Sequence, residues 1–310
     1  MKIAYIVTAY TDPQQLRRLV DSLNSNAHFF IHIDSKVDIV PFKNQLSDYT
    51  NVFFTKNRFF INWGGFAQVL SQQELLASVF ESKLHFDRVV CLSGTDYPLW
   101  STKMIFDEFS KNSKKEYIQA VNLTKLENSI QTRKVVLYHF LRDIKIKNYF
   151  IKKCFSGSAR LLFRALPFRK SPTTLIEGKQ VDVYFGSDYW ALTIDCARDV
   201  YNKLLKEDEL INYFKHSYIP SEMCIQTIVF NSEFGKNAIL TPKENYDNLH
   251  SLTPLHHIEY HGMIKVFDET DFEALAANRK MFFRKALTGR SDKLLVKIDA
   301  LRSERDSLKN

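Results

Sequence analysis

Two carboxylates stand where a proton can be taken from a hydroxyl. Glu222 follows Pro220-Ser221 at the head of SEMCIQTIVFNS (Ser221–Ser232), and Asp188 follows Gly186-Ser187. In the first turn of a helix, Glu222 is either an acid stabilised by the helix dipole or a general base. Asp188 is either a turn-capping residue or a second candidate base. If the hydroxyl displaces a diphosphate, the leaving group also needs positive charge. That comes from a metal held on an Asp-x-Asp pair after an inner strand, or from Lys and Arg. At that place the chain reads Ser93-Gly94-Thr95-Asp96-Tyr97, with one acid only, and Pro98 marks Asp96 as a turn residue. The basic run FFRKALTGR (Phe282–Arg290) is the better source, through Arg284, Lys285 or Arg290. His256, His257 and His261 are close in sequence. Adjacent histidines on a strand face opposite ways, however, which argues against a shared metal.

These residues need a frame, and the first half of the chain supplies one. IAYIVTAY (Ile3–Tyr10) is a near-continuous apolar run, as a strand covered on both faces requires. Thr11-Asp12-Pro13 carries helix-start chemistry, and Leu16–Leu23 has helical spacing. HFFIHID (His28–Asp34), NVFFT (Asn51–Thr55) and RVVCLSG (Arg88–Gly94) read as further strands, with a helix over Gln68–Phe80. The alternation predicts an α/β fold with a doubly wound, mostly parallel sheet. Ligands then sit at the carboxyl ends of the strands, near Thr8–Tyr10, Asp34 and Gly94–Pro98. No Walker loop and no GxGxxG follows the first strand, which counts against nucleotide hydrolases and dinucleotide oxidoreductases.

The second half reads as a strand pair over Val181–Thr193 broken at Gly186, a helix from Cys196 to about Lys206, and a charged helical tail. That tail, Asp292–Leu308, puts Leu295, Ile298, Leu301 and Leu308 toward one side. Without internal repeats or a low-complexity linker, one domain is expected.

The chain has 310 residues, 45% hydrophobic and 25% charged. That length buries a sizeable core, and that composition excludes disorder. Net charge is +8. Leu141–Lys170 alone holds nine Lys or Arg and one acid, Asp143. Such a stretch is either a solvated face or a binding surface for phosphates on nucleic acid, lipid or acceptor. No recognised nucleic-acid-binding module accompanies it, so nucleic acid is not expected as a partner. Cys91, Cys154, Cys196 and Cys224 form no CxxC pair, which fits a reducing compartment. No leader and no apolar run near ~18 residues is present, so no export or membrane span is expected.

Taken in order, IAYIVTAYTDPQQLRRL, FIHIDSK, INWGGFAQV, VVCLSGTDYPL, FGSDYWALT, YIPSEMCIQTIVFNS and MFFRKA resemble glycosyltransferase family 14. This family contains the core 2/I-branching β-1,6-N-acetylglucosaminyltransferases and the peptide O-xylosyltransferases. The resemblance implies a GT-A-type fold over 1–290, with a nucleotide-binding half of about 1–120 and an acceptor or catalytic half of about 121–290. The charged helix 291–310 follows. It also implies inversion at the anomeric carbon, a UDP-sugar donor as substrate, a glycan or lipid-linked acceptor, and no metal or other cofactor. Thr8, Ala9 and Tyr10 would lie against the nucleotide, Asp34 on the uracil side and Trp63 beside the donor. Glu222 would be the base of the Pro-x-Glu motif, and Lys285 of the Phe-x-x-Lys motif would contact the diphosphate, beside Arg284. Asp96 and His256 would contact the donor as well, and the lone Asp96 agrees with a metal-free site.

The branching enzymes carry an Arg where this chain has His256. The xylosyltransferases are closer to this chain there and in Gly-Ser-Asp, whose aspartate is Asp188. N-acetylglucosamine is the first expectation for the sugar and xylose the second. The eukaryotic relatives' membrane anchor and lumenal disulfides have no counterpart here. The expected setting is therefore cytoplasmic, with Leu141–Lys170 resting on the anionic inner face of a membrane, in surface-polysaccharide or glycolipid synthesis.

Overall fold

A computed structural model of the chain describes residues 1–126, 129–140, 142–145 and 168–307. Four parallel strands, β1 (Ile3–Ala9), β2 (Ala27–Ile33), β3 (Val52–Phe54) and β4 (Arg88–Ser93), lie side by side in the order β4-β1-β2-β3. Helices α1 (Pro13–Leu23), α2 (Val40–Gln45) and α3 (Ala67–Glu81) fall between them in sequence. The pleat of β1 sends Ile3, Tyr5, Val7 and Ala9 into one core with Leu16, Leu19, Val20 and Leu23 of α1. Ala4 and Ile6 enter the opposite core with Val69, Leu75, Leu76 and Val79 of α3. A strand buried on both faces has no polar face to show, which is why its sequence reads as one apolar run. Asp12 caps α1 by accepting the Gln15 amide at 3.0 Å, and Pro13 occupies the first helical position. This is the doubly wound, mostly parallel α/β architecture that the sequence indicates.

Next come β5 (Asp96–Pro98), α4 (Thr102–Lys111), β6 (Gln119–Asn122) and α5 (Ile130–Val136). They are followed by β7 (Thr173–Ile176), β8 (Lys179–Asp182), β9 (Tyr184–Gly186) and β10 (Ala191–Thr193). The strand pair expected over Val181–Thr193 is instead three strands in three sheets. β8 pairs with β7, β9 pairs antiparallel with β6, and β10 joins the main sheet antiparallel to β4. Gly186 makes this crossing possible, because a Cβ there would sit 2.1 Å from the Gln119 carbonyl oxygen.

Helices α6 (Ile194–Lys206) and α7 (Asp208–Lys215) lead to a 3₁₀ turn, Pro220–Glu222, and only then to α8 (Cys224–Phe230). Glu222 is therefore not in the first turn of an α-helix. Met223, at φ −136, interrupts the chain between turn and helix, so the helix-dipole account of Glu222 is withdrawn.

The remaining elements are β11 (Ile239–Leu240), β12 (His256–Ile258), a ribbon of β13 (Tyr260–His261) with β14 (Met263–Ile264), α9 (Phe272–Ala276), β15 (Phe282–Arg284) and α10 (Asp292–Ser307). β15 is the centre of a second sheet, parallel to β12 and antiparallel to β5. The charged tail helix α10 packs onto this sheet, burying Leu294, Leu295 and Ile298 with Tyr97, Leu99, Phe267 and Phe283. Arg302 pins it further, donating to the carbonyls of Trp100 at 3.0 Å and Ser22 at 2.6 Å. Leu301 is half-buried.

Leu308, Cys154 and most of Leu141–Lys170 lie outside the described residues. Among those described, no helix is long and apolar enough to cross a membrane. Replacing Gly186 by Ala is expected to cost about 1–3 kcal/mol, because the opposing atom is backbone and cannot swing away. Denaturant unfolding of the variant against wild type measures this.

Candidate active site

Register brings the strand ends to one edge. Thr8 stands opposite His32 of β2 and Ser93 of β4, so Thr8, Asp34 and Ser93 emerge together. β10 runs the other way, with Ala191 opposite Val90, and the residues just before it therefore return to that same edge. Those residues are Ser187, Asp188 and Tyr189. The Pro220–Glu222 turn completes the assembly. Together they line a cleft of about 450 Å³ with Thr8, Tyr10, Asp34, Trp63, Asp188, Glu222 and Arg284 in its wall. A larger hollow of about 820 Å³ lies at the opposite edge, against Met1, Arg88 and Thr193. Ligands of doubly wound sheets bind at the carboxyl ends, and Glu222, Asp188 and Arg284 all line the smaller cleft there.

Glu222 and Asp188 are close enough to feel each other's charge. Burial raises the Glu222 carboxyl well above the ordinary range, and Asp188 adds to the rise while Lys134 opposes it. Lys134 Nζ lies 3.2 Å from Glu222 Oε2. Oε1 accepts no hydrogen bond among the described residues, so it is available to a ligand. Burial likewise raises Asp188, with the Ser221 hydroxyl, Arg284 and Lys134 pulling the other way. Gln68 also donates to Asp188 Oδ2 at 3.1 Å. Two desolvated carboxylates this close do not ionise independently, and a base held near neutrality suits proton removal from a hydroxyl.

The cationic wall is Arg284. Its Nη1 donates to Thr95 Oγ1 at 2.9 Å and to Asp96 Oδ1 at 3.0 Å, and its charge lies 5.5 Å from the Tyr189 ring. Asp96 has no exposed surface. It also contacts His256 Nε2 at 3.1 Å and accepts the Ser93 amide at 2.7 Å. Burial would raise this carboxyl, but His256, Arg284 and the Ser93 amide outweigh it and hold it below the usual value. Asp96 and His256 therefore stand behind the wall rather than in it. This corrects their reading as direct donor contacts: cross-strand pairing of Asp96 with Arg284 turns the carboxylate inward.

Ala9 is buried in the α1-side core, and Lys285 is half-buried; neither lines the cleft. Burial and then the Arg284 charge hold the Lys285 amine below its usual value. Asp34 accepts the Lys36 amide at 2.9 Å and pairs with Lys36 Nζ at 3.2 Å. Trp63 is 72% exposed and stands edge-on to Tyr218 at 5.3 Å. His257 faces Glu259 at 3.0 Å, away from His256, as strand alternation requires.

Several residues of the site carry no readable signal in the sequence. Gln68 sits on the first turn of α3, and only packing shows that it meets Asp188. Lys134 is one lysine among many, 88 positions from its partner. Asp143 was counted as the lone acid of the basic stretch, yet it accepts the amides of Phe66 at 2.9 Å and Ala67 at 3.1 Å and so caps α3. It also explains Gly65, where a Cβ would meet Asp143 Oδ1 at 2.2 Å.

Paired carboxylates and a buried guanidinium thus line one cleft at the carboxyl ends of a doubly wound sheet. The chain belongs to the Core-2/I-Branching enzyme family, a family of glycosyltransferases, whose model matches residues 3–246. It is 24% identical over 242 residues to xylosyltransferase oxt of Drosophila melanogaster, covering 75% of this chain and 25% of that protein. It is 24% identical over 241 residues to xylosyltransferase 2 of Homo sapiens, with the same 75% and 25% coverage. To beta-1,3-galactosyl-O-glycosyl-glycoprotein beta-1,6-N-acetylglucosaminyltransferase 4 of Mus musculus it is 20% identical over 231 residues, covering 73% and 46%. The chain thus spans about a quarter of the length of the xylosyltransferases it matches. Among solved structures it is similar to 4-diphosphocytidyl-2C-methyl-D-erythritol synthase of Anaerococcus prevotii, at 13% identity and a TM-score of 0.34, covering 80% of this chain and 90% of that one.

Burial of Glu222 has a thermodynamic signature. Its folded pKa lies above its unfolded value of about 4.3. Its contribution to stability is therefore fully present below that value and lost as pH rises through the raised folded pKa. Glu222→Gln is expected to raise Tm relative to wild type at pH 8 and to change it little at pH 4. Paired melting curves across that range test this. A lower Tm at pH 8 would mean that the Lys134 ion pair outweighs the desolvation.

Proposed function

We propose that the chain transfers a sugar from a UDP donor to an acceptor hydroxyl, with inversion at the anomeric carbon and no metal ion. The observation that carries this is the meeting of Glu222, Asp188 and Arg284 in one cleft at the strand ends. Thr8, Tyr10, Asp34 and Lys36 form the wall for the nucleoside. Glu222 Oε1 removes the acceptor proton as the acceptor oxygen attacks the anomeric carbon. The bond from that carbon to the diphosphate breaks on the opposite side, and its electron pair leaves with UDP. Arg284 faces the charge that develops there, and Lys285 adds to the field from behind. Preorganised charge of this kind stabilises a leaving group without a Lewis acid.

N-acetylglucosamine is the first choice of sugar, supported by the Pro-Ser-Glu motif. Xylose is the second, supported by relatives named as xylosyltransferases and by Asp188 beside the base. The acceptor is a glycan or a lipid-linked glycan. A cytoplasmic location, with the basic stretch resting on an anionic membrane, accords with the charge distribution.

Glu222→Gln is expected to lower kcat about 10²–10⁴-fold while leaving UDP affinity nearly unchanged. Survival of activity in that variant, with loss in Asp188→Asn, transfers the role of base to Asp188. A panel of UDP-sugars scored by thermal shift and UDP release identifies the donor. Transfer should persist in EDTA, and a requirement for Mn²⁺ would overturn the metal-free mechanism.

A further inference from the structure

Arg284 is 9% exposed, and its Nε is enclosed with no hydrogen-bond partner among the described residues. A guanidinium has five N–H donors in a rigid plane. The two on Nη1 are taken by Thr95 and Asp96, and Nη2 makes no hydrogen bond among the described residues. Nε is enclosed, so the two N–H groups of Nη2 are the donors left for an anion in the cleft that Arg284 lines. Which edge of the guanidinium remains free is decided by what occupies Nη1.

Asp96 is in turn fixed from three directions. The Ser93 amide and His256 Nε2 hold Oδ2, and Arg284 holds Oδ1. Register sets this up, with Arg284 opposite Asp96 across β15 and β5, and Ile258 opposite Arg284 across β12 and β15. The His256 ring is itself wedged between Tyr189 at 4.4 Å and Phe282 at 5.2 Å. An arginine this buried, facing an empty cleft, would be costly without a counter-ion.

We propose that Asp96, braced by His256, is a positioning residue that clamps Nη1 of Arg284 and leaves Nη2 to the cleft for the donor diphosphate. Asp96 touches no ligand. It keeps the cation tolerable when the cleft is empty and oriented when it is filled, with Nη1 staying on the carboxylate throughout. The departure at position 256 then has a reason. Where the branching enzymes carry an Arg, this chain places its guanidinium on the neighbouring strand and uses His256 to steady the counter-ion. This rests on the UDP-donor reading.

The test is calorimetric binding of UDP and of uridine, which shares the base and ribose but has no phosphate. Asp96→Asn is expected to weaken UDP at least about tenfold, or about 1.4 kcal/mol, and to leave uridine within about twofold. His256→Gln should show the same selectivity with a smaller loss, and it keeps the test open if Asp96→Asn folds poorly. In an Arg284→Gln background, Asp96→Asn should cause no further loss of UDP affinity, because Asp96 acts through that side chain. Equal weakening of UDP and uridine would reduce Asp96 to a structural part. An undiminished UDP affinity in Asp96→Asn would refute the positioning role while leaving the donor reading intact. EDTA-sensitive UDP binding restored by Mn²⁺ in wild type would make Asp96 and His256 metal ligands instead. If wild type binds neither compound, the donor reading fails first.

Discussion

β1 is hydrogen-bonded on both edges and buried on both faces, and that confinement fixes the rest of the site. A strand held in this way cannot slide by one residue, because a slip would exchange the two cores and break both ladders. Its end therefore fixes where Thr8 and Tyr10 emerge. The pairing of Thr8 with Ser93 fixes the end of β4, and the β5 turn that starts there carries Asp96. One antiparallel neighbour, β10, then returns Asp188 to the same edge. The chemistry is assembled by hydrogen-bond register more than by any one loop.

Charge in the cleft is arranged as two opposed walls. On one side, Glu222 and Asp188 are desolvated together, and Ser221, Lys134, Arg284 and Gln68 restrain the rise in their proton affinity. On the other, the buried Arg284 has Asp96 as its counter-ion, at 3.0 Å. A proton acceptor and an anion acceptor thus share one cleft. Low local dielectric strengthens both roles, and it also makes each unpaired group costly. Glu222 Oε1 and Arg284 Nη2 make no hydrogen bond among the described residues, and groups left unsatisfied at a cleft wall are those a ligand can satisfy.

The second sheet has the same logic on a smaller scale. Three short strands, β12, β15 and β5, carry little core of their own, yet they set Asp96, His256 and Arg284 within hydrogen-bonding distance. Helix α10 closes over this sheet with Leu294, Leu295 and Ile298, so the charged tail supports the cationic wall. The apolar stripe in its sequence shows that this helix docks, but not which sheet it docks on.

The strands, the helix starts and the residue types at the strand tips were readable from the sequence, because each is a local consequence of burial. Two-sided burial writes an apolar run, as in Ile3–Ala9, and a cap writes Asp-Pro, as at Asp12 and Pro13. The carboxylates and the basic run could be picked out for the same reason, since reactive side chains are few and their neighbours short-range. What could not be read was every relation between distant residues: Lys134 on Glu222, Gln68 on Asp188, Asp143 on α3. The same limit hid the split of Val181–Thr193 among three sheets and the 3₁₀ setting of Glu222. Sequence alone determined which groups were available and where the chain would turn. Tertiary structure decided which carboxylate oxygen stays free and which face of a guanidinium meets the cleft, because desolvation and charge pairing act through space and not along the chain.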